Sequence, residues 1–475
     1  MSSSTDPISP LTWEEHLKIL FDDLFLTREQ VLQELKEKLQ TAVQIELATI
    51  PIYLYTYYSI NRIHTRGENV DNPSLYANKA AGIMMSIAVE EMLHMSLSAN
   101  ILYSLGVEPQ LYRRSPDQYP ANLPSHNPKG PPGPDSDKKV LIPLSKFSYE
   151  QLWHCLQIEY PEPKIAWPKD RNWNTIGQFY SYIRCLIECH HIKDEDFQVN
   201  GAETQIQSYN YSPNSIDTIY PSQKFDPWKT PEGSHAEGYP SAAAVAQYPN
   251  KPDSHAGHAE LITISSKREA LEAIATICDQ GEGYAHREID DPSQTEYSHY
   301  YKFLGLQAQL ERYEHHIEKL PNLPKPPAPI TPTITDTDLE EIIYNFPDNP
   351  TTAGYPQDYQ ALSNLCNGVY QYMLILTETI YKVPNREQKL FFNEAMHRSM
   401  LWVLNRLIKH TRTFVMDNGY NFAPTFENID LGSRRDAYTH LLALTEKITE
   451  ESQLKVVKEM IETIRKLPDV GKHWK

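Results

Sequence analysis

One segment of the sequence, residues 76 to 105, restricts the fold more than any other. Its apolar residues cover most of the circumference of a helix, which is typical of a helix at the centre of a protein. Glu91 and His94 nevertheless lie on its most apolar stripe. Residues three apart on a helix face the same way, so we expect both side chains to point into the core, where they could share a metal site. Gly106 follows as a C-terminal cap.

The first predicted helix, residues 28 to 60, places another carboxylate in the core. Glu46 continues the apolar stripe that contains Leu35 and Leu39, and it lies away from the polar face that carries Glu37. A buried carboxylate without a partner costs several kcal/mol, so it requires a proton, a cation or a metal ion. A buried arginine is the alternative partner.

A third helix over residues 266 to 281 and a fourth over about 294 to 318 complete a predicted four-helix bundle. Glu282 follows the apolar phase of the third helix, which begins with a capping box at Ser266. Glu296 and His299 form a second Glu-x-x-His pair. In chain order the residues are Glu, Glu-x-x-His, Glu, Glu-x-x-His, which is the ligand set of ferritin-like di-metal carboxylate bundles. Carboxylate and imidazole ligands favour iron, with manganese as the alternative.

Several alternatives remain open for individual residues. Glu90 is the other candidate for the inward carboxylate, although the apolar stripe favours Glu91. Glu296 lies close to a helix start and could simply interact with the helix dipole. His286 is near enough to Glu282 to lie beside the metal or face a substrate. A single Glu-x-x-His pair is common by chance, whereas two pairs with two phased glutamates favour a metal site.

Strand-like alternation is scarce, so the chain is predicted to be mainly α, with long proline-rich loops and additional C-terminal helices. The 36 prolines cluster, and the segment from 209 to 252 could cover a site. The predicted organisation is a ferritin-like metal-binding bundle with long insertions, a proline-rich linker, and a C-terminal helical region packing on the bundle: residues 11–319, 320–335 and 336–475. The predicted C-terminal helices span about 356–382, 386–415 and 434–466.

Composition excludes some classes of function. The formal charge of -18 over 475 residues disfavours binding to nucleic acid or to an anionic membrane surface. No signal peptide is evident, and no run approaches the ~20 apolar residues of a membrane helix. The five cysteines are few and scattered, which indicates a reducing compartment. We therefore expect a cytoplasmic protein and leave open a homo-oligomer.

Several segments resemble the ferritin-like domain of iminophenyl-pyruvate dimer synthases, a family related to the chromopyrrolic acid synthases of bisindole pathways. They lie between about residue 11 and about residue 430: IELATIPIYLYTYYSI, VEEMLHMSLSANILYSLGVEPQLY, NTIGQFYSYI, DQGEG, EYSHYYKF, MHRSMLWVLNRLI and NFAPTFE. The resemblance implies oxidative, metal-dependent secondary metabolism of small aromatic molecules, such as imines of aromatic amino acids. It also implies a set of metal ligands: Glu46, Glu91, His94, Glu282, Glu296 and His299.

The predicted function is that of a non-haem, metal-dependent oxidoreductase similar to the imine dimer synthases. A di-iron site would use dioxygen or peroxide on a small aromatic metabolite, which could derive from an amino acid. The predicted catalytic residues are Glu46, Glu91, His94, Glu282 and His299. The alternative is a non-catalytic bundle that binds or stores iron, or that is purely structural. Motifs for nucleotide binding or serine hydrolysis are absent from the sequence.

Overall fold

The protein is mainly helical, as predicted. The structure is a computed structural model that describes residues 27–62, 72–123, 141–160, 175–207, 261–281, 298–313, 332–392, 399 and 403–475. Within these ranges, β-structure is limited to isolated bridges. The α-helices are α1 (Arg28–Ser59), α2 (Asn72–Ser104), α3 (Tyr149–Ile158), α4 (Ile176–Glu188), α5 (Lys267–Gln280), α6 (His299–Gln307), α7 (Asp336–Glu341), α8 (Gln357–Ile380), α9 (Asn385–Phe391), α10 (Asn405–Thr411), α11 (Ala437–Thr445) and α12 (Glu451–Ile464).

Helix α2 lies at the centre, as its apolar circumference predicts, and every residue from Ala80 to Ser104 is buried. Its length and composition would suffice to cross a membrane, but its most apolar window is entirely buried inside the protein. A core helix of a soluble protein meets the same criteria, so this helix gives no evidence of a membrane. Because α2 has no solvent face from Ala80 onward, neighbouring polar residues there must all find partners inside the protein.

Local sequence signals account for the ends of the long helices. Gly106 has a φ of +86°, and its N–H donates to the carbonyl oxygen of Tyr103 at 2.9 Å. Glycine is favoured here because a side chain in the left-handed region is strained. Ser266 caps α5 by accepting a hydrogen bond from the Glu269 N–H, and the Glu269 carboxylate binds the N–H and hydroxyl of Ser265. The predicted N-cap at Ser266 is therefore confirmed, but Glu269 returns its hydrogen bond to the N–H of Ser265, whereas a capping box would use that of Ser266.

Two pairs of shorter helices, α4 with α5 and α3 with α6, pack around the long pair formed by α1 and α2. Helix α4 packs against both α1 and α5, and α5 packs against α2. Helix α3 packs against α6, which also contacts α2. Neither α3 nor α4 was predicted from the sequence. The side chains of α3, α4 and α6 thus all have access to the interior of the bundle.

The predicted fourth helix, residues 294 to 318, is wrong at both ends. Ser298 has extended backbone (φ −63°, ψ 166°), so α6 begins at His299. The helix ends at Gln307, and Leu310 then pairs with Ile334 in an isolated bridge. His299 is therefore the first residue of α6, whereas Glu296 lies outside the described residues.

The predicted helix 434 to 466 is also wrong as a single element. Helices α11 and α12 are separate, because the chain turns where the N–H of Lys447 donates to the carbonyl oxygen of Leu444 at 3.2 Å. A hydrogen bond that spans only three residues replaces the helical one and ends the first helix.

Buried polar contacts fasten the C-terminal helices to α1 and α2. Arg412, 8% exposed, donates from Nη1 to the carbonyl oxygens of Tyr58 (2.7 Å) and Ile60 (3.0 Å) at the end of α1. These carbonyl groups have no N–H donor within the helix, and the guanidinium donates to them instead. The N–H groups of Leu111 and Tyr112 donate to Glu378 of α8. The domain boundaries themselves stay a prediction.

Replacing Arg412 with methionine should lower the urea midpoint of unfolding by the equivalent of about 2–3 kcal/mol, because two buried carbonyl groups lose a charged donor. Arg113→Met is the control. It removes an ion pair with Asp430 in which both side chains are about half exposed, and it should change stability by less than ~1 kcal/mol. Equal effects of the two substitutions would contradict the capping role.

Candidate metal centre

Glu46 of α1 faces the interior, as its place on the apolar stripe predicts. It is 2% exposed, and its Oε1 accepts a hydrogen bond from the hydroxyl of Tyr180 on α4. Its Oε2 lies 3.9 Å from Nδ1 of His94. Burial and the negative charge of Glu91 raise the pKa of Glu46 well above its usual value. Among the described residues, its partners are therefore a phenol, a carboxylate and an imidazole, and not the arginine considered as the alternative.

Glu91 and His94 of α2 both point into the same space. Oε1 of Glu91 lies 3.8 Å from Nδ1 of His94, and both side chains are buried. The hydroxyl of Thr49, on α1, lies 2.7 Å from Oε2 of Glu91. This hydrogen bond leaves Oε1 as the oxygen that faces the histidines. The i, i+3 argument from sequence is thus reproduced in space.

His299 enters from the opposite side, at the first turn of α6. Its Nδ1 lies 2.8 Å from Oε1 of Glu91, and its ring stacks on His94 with centroids 5.4 Å apart. One ligand atom from each of Glu91, His94 and His299 can be chosen so that all lie within 4.8 Å of one another. This spacing suits a shared metal ion.

Glu159 is a site residue that the sequence analysis missed. It caps the C-terminal end of α3, is 3% exposed and accepts a hydrogen bond from the hydroxyl of Tyr53. Its Oε2 lies 3.6 Å from Nδ1 of His299. The signal was present, because Leu152 and Cys155 place Glu159 on their apolar stripe at i+7 and i+4. It was overlooked because no helix was predicted between residues 105 and 266.

Glu90 also points inward. The sequence analysis treated Glu90 and Glu91 as alternatives, but both carboxylates are buried. Its Oε2 lies 2.8 Å from Nε2 of His299 and 2.7 Å from Nζ of Lys302, and its Oε1 accepts from the hydroxyl of Ser86 at 2.9 Å. Both glutamates can be buried because α2 is enclosed on all sides. Glu90 therefore contacts the far side of the His299 ring, whereas Glu91 contacts the near side.

The shifted pKa values of the buried carboxylates reflect their mutual repulsion. Burial and the charge of Glu91 raise the pKa of Glu159, as they do for Glu46. Burial also opposes ionisation of Glu91, but His299 and His94 outweigh it and lower its pKa to about 2. Three buried carboxylates converge on the two imidazoles, and a bound cation would relieve their mutual repulsion.

The two histidines differ in their electrostatic surroundings. Burial lowers the pKa of His94 to about 4. Burial also disfavours the charged form of His299, but hydrogen bonding and the charges of Glu159, Glu90 and Glu91 raise its pKa well above the usual value. Both rings direct Nδ1 at carboxylates. The opposite pKa shifts indicate that His299 is surrounded by more negative charge than His94.

The donor set fits a metal ion. Nδ1 of His299 is buried without a hydrogen bond of good geometry, although Oε1 of Glu91 lies only 2.8 Å away. Nε2 of His94 lies 3.1 Å from Oε1 of Gln280, which leaves its Nδ1 directed at the carboxylates. Two imidazoles, each anchored through Nε2, together with carboxylate oxygens, are suitable ligands for iron or manganese.

Other predicted residues lie outside the described residues, namely Glu282, Glu296, His286 and the segment from 209 to 252. Gly281 is described, and it borders the site. A Cβ atom built on it would lie 3.6 Å from Oε2 of Glu159 and 3.9 Å from Cε1 of His94. The backbone thus reaches the site one residue before Glu282, whose role as a ligand stays a prediction.

Comparison with known proteins identifies the family. A family model described as ferritin-like matches residues 39–308, which is more than half of the chain and includes every described residue of the site. A crystal structure of a ferritin-like protein from Caulobacter vibrioides is 18% identical, with a TM-score of 0.40, and the match covers 78% of this chain and 95% of that chain. No curated protein matches the sequence. The family match confirms the predicted fold class, and the chain belongs to the ferritin-like family.

Proposed function

We propose that this protein is a non-haem, metal-dependent oxidoreductase with a di-iron site. The observation that supports the proposal is the convergence of five buried groups from four helices, with the Nδ1 atoms of both histidines facing carboxylates. The residues that would hold the metal are Glu46, Glu91, His94, Glu159 and His299, with Glu282 and Glu296 as the predicted additions. When bound, iron would supply the redox chemistry with dioxygen or peroxide.

The described side chains would prepare this site by fixing the orientation of its carboxylates. Tyr180 and Tyr53 each donate a hydrogen bond to a carboxylate, and burial raises the pKa of both phenols well above the usual value. They therefore stay protonated and hold Glu46 and Glu159 in fixed orientations. Thr49 does the same for Glu91. Fixed ligands reduce the reorganisation that a change of metal charge requires.

A small aromatic substrate is the second part of the proposal, and it rests on the resemblance to the imine dimer synthases. The surroundings of Glu159 are aromatic, since the ring of Tyr53, which binds Glu159, lies 5.3 Å from that of Phe303 and both are buried. Such rings can pack against a flat, apolar molecule. An imine derived from an aromatic amino acid is the class that we propose.

Replacing Glu91 with alanine should weaken binding of ferrous iron by roughly 100-fold or more, because the carboxylate that lies between both histidines is lost. Iron content after dialysis, measured by elemental analysis, gives the result, and circular dichroism should show unchanged helix content. Glu378→Ala is the matched control, because Glu378 is equally buried but contacts Arg434 and two backbone N–H groups. Full iron content in Glu91→Ala would refute the assignment.

Metal stoichiometry and dioxygen consumption distinguish catalysis from iron storage. Protein loaded anaerobically with ferrous iron should bind about two ions per chain. On exposure to air, a catalyst should consume dioxygen repeatedly when an aromatic amine or imine is added, and slowly without it. Binding of many irons per chain, with dioxygen uptake that ends once the iron is oxidised, would instead support the storage function. An oxygen electrode and an iron assay on the same sample suffice.

A further inference from the structure

A buried ion pair adjoins His299 on the side away from the carboxylates of the site. Lys302 follows His299 by three residues on α6, is 1% exposed and places Nζ 2.7 Å from Oε2 of Glu90. The same oxygen lies 2.8 Å from Nε2 of His299. With Ser86 bound to the other oxygen, donors occupy both oxygens of the Glu90 carboxylate.

Such a pair is difficult to explain by stability alone. Transferring two charges from water into a protein core costs several kcal/mol per ion, and apolar residues of similar size often replace a buried ion pair without loss of stability. The pair therefore calls for another role. It contacts the candidate metal site at the ring of His299.

We propose that Glu90 and Lys302 form a positioning pair that holds His299 with its hydrogen on Nε2 and with Nδ1 directed at the metal. The inference rests on the metal site of the proposed function. A histidine hydrogen bond at one ring nitrogen determines which nitrogen remains for the metal, and a carboxylate acceptor makes the ring a stronger ligand.

Competition for the ring hydrogen makes the pair necessary. Nδ1 of His299 faces two carboxylates, Glu91 at 2.8 Å and Glu159 at 3.6 Å, and either would attract a hydrogen on that nitrogen. Glu90 provides an equally close acceptor at the opposite nitrogen. Lys302 lies 2.7 Å from the same oxygen of Glu90 and holds the carboxylate against the ring.

The other histidine lacks this arrangement. Nε2 of His94 contacts the amide oxygen of Gln280, a neutral acceptor, at 3.1 Å. A neutral amide polarises the imidazole less than a carboxylate does. His299 should therefore be the stronger of the two imidazole ligands, and the two sides of the metal site should differ in affinity.

Glu90→Gln is the variant that tests the pair, since it keeps the shape of the side chain and removes its charge. Affinity for ferrous iron, measured anaerobically by competition with a chelator, should fall by roughly 10–100-fold. Gln280→Leu, which removes the neutral acceptor of His94, should lower it by a smaller factor. Glu378→Gln should leave the affinity unchanged, because the contacts of Glu378 include no residue of the site.

A double variant separates positioning from stability. Glu90→Gln with Lys302→Met removes both charges, so no unpaired ion remains in the core, and it carries the test if the single variant does not fold. We expect stability close to that of the wild type, with iron affinity still reduced 10–100-fold. Recovery of the affinity together with the stability would overturn the inference.

The outcomes also separate this inference from the proposed function. If the wild type binds iron and Glu90→Gln binds it equally well, the positioning role is wrong and the oxidoreductase proposal stands. If the wild type binds no iron, the proposed function fails and this inference fails with it.

Discussion

The main energetic constraint on this fold is the mutual repulsion of carboxylates that are buried side by side. Glu46, Glu91 and Glu159 come from three different helices, and each is 3% exposed or less. Their ionisation in the core is costly, and the raised pKa values of Glu46 and Glu159 express that cost. A metal ion shared among them, with two imidazoles, would convert the repulsion into attraction. Without a cation, the arrangement would be a weakness in the centre of the fold.

The long and the short helices contribute to the site in different ways. The two long helices α1 and α2 provide the continuous scaffold, and the short helices α3 and α6 bring Glu159 and His299 to it by their ends. A side chain at a helix end is oriented by capping and tertiary contacts, so it needs support. Tyr53 supports Glu159, and Glu90 supports His299. Because Tyr53 and Glu90 are themselves on α1 and α2, the long helices also orient these two ligands.

Periodicity explains what the sequence could predict. Glu46, Glu91 and His94 lie in the middle of helices of 32 and 33 residues, where many apolar neighbours define the buried face. Their placement inside the bundle followed from the 3.6-residue repeat. The ferritin-like fold class followed from the same residues and is confirmed by the family match.

Other features needed three-dimensional contacts. Glu159 ends a helix of ten residues, too short for a reliable stripe. His299 was found from its Glu-x-x-His pattern, but its position at the first turn of α6, after the extended Ser298, was not predicted. Glu90 could not be distinguished from Glu91, since a helix buried on every side has no polar face for comparison. Its pairing with Lys302 joins residues 212 positions apart, which no local pattern reveals.

Diffraction from an iron-loaded crystal, recorded at the iron absorption edge, tests the central claim most directly. The account predicts anomalous density bonded to Nδ1 of His299 and Nδ1 of His94, with Glu91 as a common ligand. An anomalous map without a peak among these residues, or with iron bound solely at the protein surface, would contradict it.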